Sequence, residues 1–290
     1  MSLEFCSVRY YERIKHSYDG ESACKGKNPL IQLIADNDWE NALLQIDEDN
    51  AKTWSLNPSL VSSDPQSDVF QTHRGCRKSS VLILPIHQAC TQLNVEVSLV
   101  ESLVAAYPES LHMCDSATMR TPLHLALITR ASEDIILHLI EKCCSAASIQ
   151  DYWGRVPLHY ACEKLTSIAV IKKLLLLCPE TIRATDEFDI TPLHLASFHS
   201  RSTEAIDEML SLSPEAILML TKKGDTAIDL AKYNKSQGRD LILARLYEVR
   251  KMYEAPVFQN EREAYERISD DCSTYTDDND IDSLRQPDLI

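Results

Sequence analysis

Four histidines, His87, His124, His159 and His194, stand at near-constant intervals in this 290-residue chain. Imidazole both moves protons near neutral pH and ligates zinc, so four at a fixed spacing invite a metal or acid–base reading. Ten cysteines form the second reactive class. They are scattered without a Cys-x-x-Cys pair, and nothing in the sequence sets a cation or helix N-terminus beside any of them to activate a thiolate. A cysteine-dependent enzyme is therefore the remote catalytic alternative. No glycine-rich phosphate loop, His-Glu-x-x-His pair or nucleophile elbow occurs. The acidic clusters lie in the C-terminal tail, where nothing rigid could hold two carboxylates in catalytic geometry. The expectation is a protein without catalytic residues, cofactor or metal.

The surroundings of each histidine are more informative than the histidines. Thr121-Pro122-Leu123-His124, Val156-Pro157-Leu158-His159 and Thr191-Pro192-Leu193-His194 are close copies of one motif. Leu84-Pro85-Ile86-His87 and Thr226-Ala227-Ile228-Asp229 are looser ones. The steps from Pro85 to Pro122, Pro157, Pro192 and Ala227 are 37, 35, 35 and 35 residues. A period of this size signals stacked supersecondary units, and Thr-Pro-Leu-His-x-Ala marks ankyrin repeats. Over roughly residues 28–255 the chain resembles the ankyrin-repeat family.

The resemblance implies an all-α solenoid of helix-turn-helix units with β-hairpin fingers, about six in number, the first and last degenerate. It implies a binding scaffold or adaptor for a protein partner rather than an enzyme. In such a stack equivalent atoms lie roughly 10 Å apart, too far for one ion with ligand bonds of about 2 Å. The family's histidine instead bonds backbone in the hairpin region and ties neighbouring units together.

Periodicity supports the register independently. Fourteen residues beyond each motif position stand Leu43, Leu99, Ile136, Ile171, Ile206 and Leu241. Four further on, on the same helical face, come Leu103, Ile140, Leu175 and Leu210. Each unit thus has a first helix opening at the motif, with proline at its first position and threonine as cap, and a second helix centred on these residues. Pro108, Pro179 and Pro214 are expected to end second helices, and the residues beyond the family period to sit in the following loop. Gly154, Gly224 and Gly26 precede the motif position by three residues, where they relieve a tight turn; Asp189 tolerates that turn and Met119 is a poor fit. Cys90 and Cys162 fill a small buried slot after the motif alanine.

Outside the repeats, residues 1–27 read as a polar lead-in, 57–80 as a surface insertion and 256–290 as a disordered acidic tail. Residues 239–253 form a charged amphipathic helix that closes the stack. The formal charge of −15 argues against nucleic acid and against an anionic membrane surface. The longest apolar run, Leu174 to Cys178, is far short of the ~20 residues that span a bilayer. No signal-peptide core is present, so a monomer with reduced thiols in cytoplasm or nucleus is expected.

Carrying the family's binding positions over places aromatic side chains Tyr152, Trp153, Phe188 and Phe198 on one concave face with His199. The cations Arg120, Arg155, Lys164 and Lys222 flank them. Such residues dominate interface energetics. Two readings stay open: anchors for an acidic or mixed-charge partner, or rings stacked on one another to stiffen the array. A further alternative is a self-masked module whose acidic tail covers this face. Arg77-Lys78-Ser79-Ser80 and Thr274-Tyr-Thr-Asp-Asp resemble kinase sites, and the C-terminal Asp288-Leu289-Ile290 resembles a carboxylate-captured ligand.

Overall fold

The computed structural model describes residues 28–52, 55–57 and 81–253. The expected lead-in, almost all of the insertion, the tail and Gly26 lie outside them. The described chain is mostly helical: α1 (Pro29–Ala35), α2 (Trp39–Leu44), α3 (Glu48–Lys52), α4 (Pro85–Thr91), α5 (Val97–Ala106), α6 (Pro122–Ile128), α7 (Glu133–Lys142), α8 (Pro157–Glu163), α9 (Ile168–Leu177), α10 (Pro192–His199), α11 (Glu204–Leu212), α12 (Ala227–Lys232) and α13 (Arg239–Tyr253). One antiparallel pair, β1 (Ser55–Asn57) with β2 (Val81–Ile83), is set in register Ser55 to Ile83. No described helix is long and apolar enough to cross a membrane.

The helices form two layers. In the first, α1, α4, α6, α8, α10 and α12 each pack on the next; in the second, α5, α7, α9 and α11 do the same. The core lies between them. Leu99, Ile136, Ile171 and Ile206 are buried, as are Leu103, Ile140, Leu175 and Leu210 four residues on. Each such side chain adds about 1.5–3 kcal/mol relative to leaving it in water. In α1–α2 Leu43 is only half-buried and Ala42 takes the core position.

The helix starts follow from local chemistry. Pro85, Pro122, Pro157 and Pro192 each open a first-layer helix, where a missing N–H costs no hydrogen bond. The Thr121 and Thr191 hydroxyls accept the backbone N–H of the histidine three residues on, at 3.5 and 3.4 Å. The looser Thr226 copy keeps this cap, with Asp229 in the histidine's place.

Three expectations change. Pro108, Pro179 and Pro214 do not simply end helices: each begins a five-residue 3-10 turn, Pro108–His112, Pro179–Arg183 and Pro214–Leu218, and Cys144–Ser148 forms one without proline. These turns bury Leu111, Ala147, Ile182 and Ile217, so they belong to the core rather than to a solvated loop. Met119 does adopt the left-handed backbone, φ 56°, alongside Asp189 at 57°, Gly154 at 77° and Gly224 at 82°. Its finger is one residue longer, and the Met119 N–H closes on the Asp115 carbonyl at 3.2 Å. Leu241 is 63 % exposed, while Ile242 and Leu246 are wholly buried. The last helix is shifted by one residue because it is entered through a different loop.

That loop hinges on Gly238. A Cβ there would overlap the Arg201 carbonyl, a backbone group with no rotamer to yield. Gly238→Ala should lower stability by about 1–3 kcal/mol through overpacking, read as a lower urea midpoint at unchanged slope.

Candidate functional site

Between the helical units the chain projects fingers, each organised by one side chain at its base. The Asp115 carboxylate accepts N–H bonds from Ala117 and Thr118 at 2.9 and 2.6 Å. Asp151 does so from Trp153 and Arg155 at 3.0 and 2.9 Å. Asp186 does so from Phe188 and Ile190 at 2.9 and 3.0 Å. Thr221 replaces the aspartate in the last finger, its hydroxyl accepting from Asp225 N at 3.2 Å. The fingers themselves carry no strand among the described residues. They are joined instead by single backbone bonds: Tyr152 N–H to Thr118 O at 2.9 Å, Glu187 to Trp153 at 2.9 Å and Lys222 to Phe188 at 3.0 Å.

The second carboxylate oxygen of Asp151 and of Asp186 receives an arginine from the preceding finger, whereas that of Asp115 accepts the Thr118 hydroxyl and the Arg120 N–H of its own finger. Arg120 Nε reaches Asp151 at 3.4 Å and Arg155 Nε reaches Asp186 at 3.0 Å. Tyr160 OH donates to Asp151 at 2.6 Å and accepts from Arg120 Nη2 at 2.8 Å. Burial pushes the Tyr160 phenol up, so it stays a neutral donor here. Arg155 also donates to Glu163 at 2.8 Å, and Lys164 to the same carboxylate at 2.6 Å. Glu163 is held below the usual carboxylate range: its burial acts the other way and is outweighed by the lysine and arginine.

This ladder relocates part of the expected binding set. Arg120 is buried, 8 % exposed, with its guanidinium 4.8 Å over the Trp153 ring; it is a structural cation, not a surface one. Arg155 and Lys164 are partly exposed but already paired. Trp153 is half-buried, edge-on to Tyr152 at 5.5 Å. Tyr152, Phe188 and Phe198 are exposed at 52, 54 and 37 %, Phe198 meeting His199 edge-on at 4.8 Å. His199 is half-buried and its pKa is lowered, first by burial. Lys222 is exposed.

Tyr233, 68 % exposed just after α12 at the repeat position that Phe198 holds in α10, extends the surface. The aspartates and Tyr160 were missed in the sequence although Asp115, Asp151 and Asp186 repeat at nearly the motif's own period. That repetition was the available signal.

The four motif histidines work as couplers. His87, His124, His159 and His194 each accept their own cap residue's N–H at Nδ1, at 3.2, 3.2, 3.1 and 3.2 Å. Nδ1 is therefore bare and Nε2 carries the proton. From Nε2 the bond runs to Met113 O at 3.1 Å, Arg155 O at 3.1 Å and Ile190 O at 3.0 Å, each in the next finger region. His194 Nε2 is buried without a well-formed bond, with Asp225 and Met219 backbone beside it. Burial pushes His124 and His159 down to about 4 and lowers His87 and His194.

Burial raises Cys90, Cys114 and Cys162 to about 12, the reverse of an activated thiol. The sequence paired no base with any cysteine, yet His112 Nε2 lies 3.2 Å from Cys143 Sγ and 2.7 Å from Ser145 Oγ. That cluster joins the 3-10 turns Pro108–His112 and Cys144–Ser148; Cys143 is 3 % exposed. No group of three or more His, Cys, Asp or Glu among the described residues is placed to hold a metal.

Comparison with known families places residues 86–180 in the family model for ankyrin repeats, in three copies. No curated protein matches the chain.

Two outcomes follow from this geometry. Arg120→Ala should destabilise the fold by about 3 kcal/mol, because it leaves the buried Asp151 without its cation; an unchanged denaturation midpoint refutes the structural role. An unfolded imidazole titrates near 6.5 and the folded His124 and His159 near 4, so the contribution of these two is full above pH 6.5 and is lost on acidification. Denaturation midpoints should fall between pH 6.5 and 5, before carboxylates titrate, by up to about 1.4 kcal/mol per pH unit for each histidine.

Proposed function

Proceeding from an ankyrin-repeat chain, we propose that it is a protein-binding scaffold whose concave face takes up a segment of a partner protein. Ankyrin repeats are generally protein–protein interaction modules, and the finer reading here rests on what the surface offers. We count about six units, from α1–α2 to α12–α13, in one extended face. The supporting observation is that Tyr152 and Phe188, on fingers whose bases are fixed by buried aspartates, and Phe198 and Tyr233, at the ends of α10 and α12, stay solvent-exposed. Rigid aromatic side chains bind at low entropic cost and supply the anchors of many interfaces.

The alternative of rings stacked to stiffen the array fits Trp153 alone, which lies against Arg120 and Tyr152. Trp153 supports the surface and its neighbours meet the partner. Arg155, Glu163 and Lys164 form a mixed-charge floor beside His199, and Lys222 adds one further cation. An acidic or mixed-charge partner segment with apolar anchors suits this arrangement. Catalysis has no part in the reading.

The test is capture from a cell lysate with the wild-type chain and a Phe188→Ala/Phe198→Ala variant that keeps its helical circular dichroism. A partner bound by the first should be lost by the second, at about 2 kcal/mol or more for a true anchor. A partner held equally by both removes the concave face from the assignment.

A further inference from the structure

Positive charge that the internal ladder does not take up includes one adjacent pair on the fingers. Arg120, Arg155 and Lys164 are engaged by Asp151, Asp186 and Glu163. Lys222 and Lys223, at the tip of the last finger, are exposed and form no ion pair among the described residues. Phe188 lies one finger back, its carbonyl accepting the Lys222 N–H at 3.0 Å. Phe198 in α10 and Tyr233 just after α12 occupy matching repeat positions, and the two helices pack on each other. Two adjacent ammonium groups thus stand one finger from the exposed Phe188 ring, in the unit whose first-layer helix leads to Tyr233. Glu187 and Asp189 on the preceding finger and Asp225 at the base of this one carry the opposite sign, so they confine a ligand's negative charge to the lysine tip.

The chain's own continuation has the matching chemistry. Residues 270–281 read Asp-Asp-Cys-Ser-Thr-Tyr-Thr-Asp-Asp-Asn-Asp-Ile, five carboxylates around Tyr275 and Ile281 with no basic residue. Helix α13 ends at Tyr253 and packs directly on α12, so the described chain stops in the same terminal unit that carries Lys222 and Lys223. The connecting residues 254–269 can span up to about 55 Å, more than twice the ~22 Å length of α13. A tether of that kind supplies an effective concentration near the millimolar range, enough to fill a weak site.

We propose that residues 270–281 dock in cis on Lys222, Lys223, Phe198 and Tyr233 and occupy the C-terminal end of the concave face until a partner of similar acidic–aromatic chemistry displaces them. The docking rests on the concave face being the partner surface. It adds the identity of the competitor and the cations that hold it. Exposed ion pairs weaken as salt rises, so the docked state is set to loosen with ionic strength.

The full-length chain provides the test. Carbodiimide activates a carboxylate, and attack by a lysine amine forms an amide with loss of the activating group as its urea. Peptides joining Lys222 or Lys223 to residues 270–281 should appear in the monomer, decline between about 0.05 and about 0.5 M salt, and vanish in an Asp270→Asn/Asp271→Asn/Asp277→Asn/Asp278→Asn/Asp280→Asn variant. Absence of these links, or links found only in dimers, overturns the cis contact. A labelled peptide of residues 268–284 should bind that neutralised chain about tenfold more tightly than wild type, whose own tail competes. Lys222→Glu/Lys223→Glu in the neutralised chain should abolish the binding. Equal affinity for both tails, or none for either, refutes the docking. Lysate capture with the Phe188→Ala/Phe198→Ala variant is read separately, so loss of the tail contact leaves the partner surface standing.

Discussion

The bonds from His87, His124 and His159 to the next finger region are the constraint on which this array depends. A helical unit of some thirty-five residues cannot bury its apolar face alone, and stacking supplies the missing surface. Hydrophobic contact is non-directional, however, and would tolerate a range of rotations between units. The histidine removes that freedom. Its Nδ1 is fixed on its own helix start by the cap residue's N–H, and its Nε2 then reaches one backbone carbonyl of the following unit, at Met113, Arg155 or Ile190. Both nitrogens are committed in the neutral ring, so burial and function agree, and protonation would break the first bond.

From that coupling comes the placement of the fingers, and from the fingers the electrostatics of the face. Asp151 and Asp186 each hold two N–H groups of their own finger and one arginine of the finger before. A carboxylate in such a site is both a turn-former and a clamp between units. The consequence is that Arg120 and Arg155 are spent on the scaffold. Surface aromatics are left standing on a rigid base, while Lys222 and Lys223 at the last finger tip stay exposed.

The same economy explains the 3-10 turns. Thr181 and Ser110 hydroxyls donate to the carbonyls of Cys178 and Tyr107 at 2.6 Å each, closing helix ends that would otherwise leave acceptors buried. The residues by which these units exceed the usual period are thus core material, with Ile182 and Ile217 fully buried. An acidic chain with few glycines can build tight turns because Met119 and Asp189 in the fingers, and Asn94, Arg130 and Leu165 between paired helices, accept the left-handed backbone where the packing demands it.

The repeat period, the helix starts at Pro85, Pro122, Pro157 and Pro192, and the buried faces at Leu99, Ile136, Ile171 and Ile206 were determined by the sequence alone, while the structural use of the histidines was implied by the family resemblance. The first three follow from local rules: a proline at a helix start, an apolar residue every turn, a motif that repeats. Whether Arg120 meets solvent or Asp151, whether the Trp153 ring stands free or lies against Arg120, and whether Leu241 or Ile242 faces the core was decided only by tertiary structure. Those outcomes depend on atoms brought together from different units, thirty or more residues apart. A side chain's type states what it can bond. Only the stacked fold sets which partner is within 3 Å of it and whether water is there to compete.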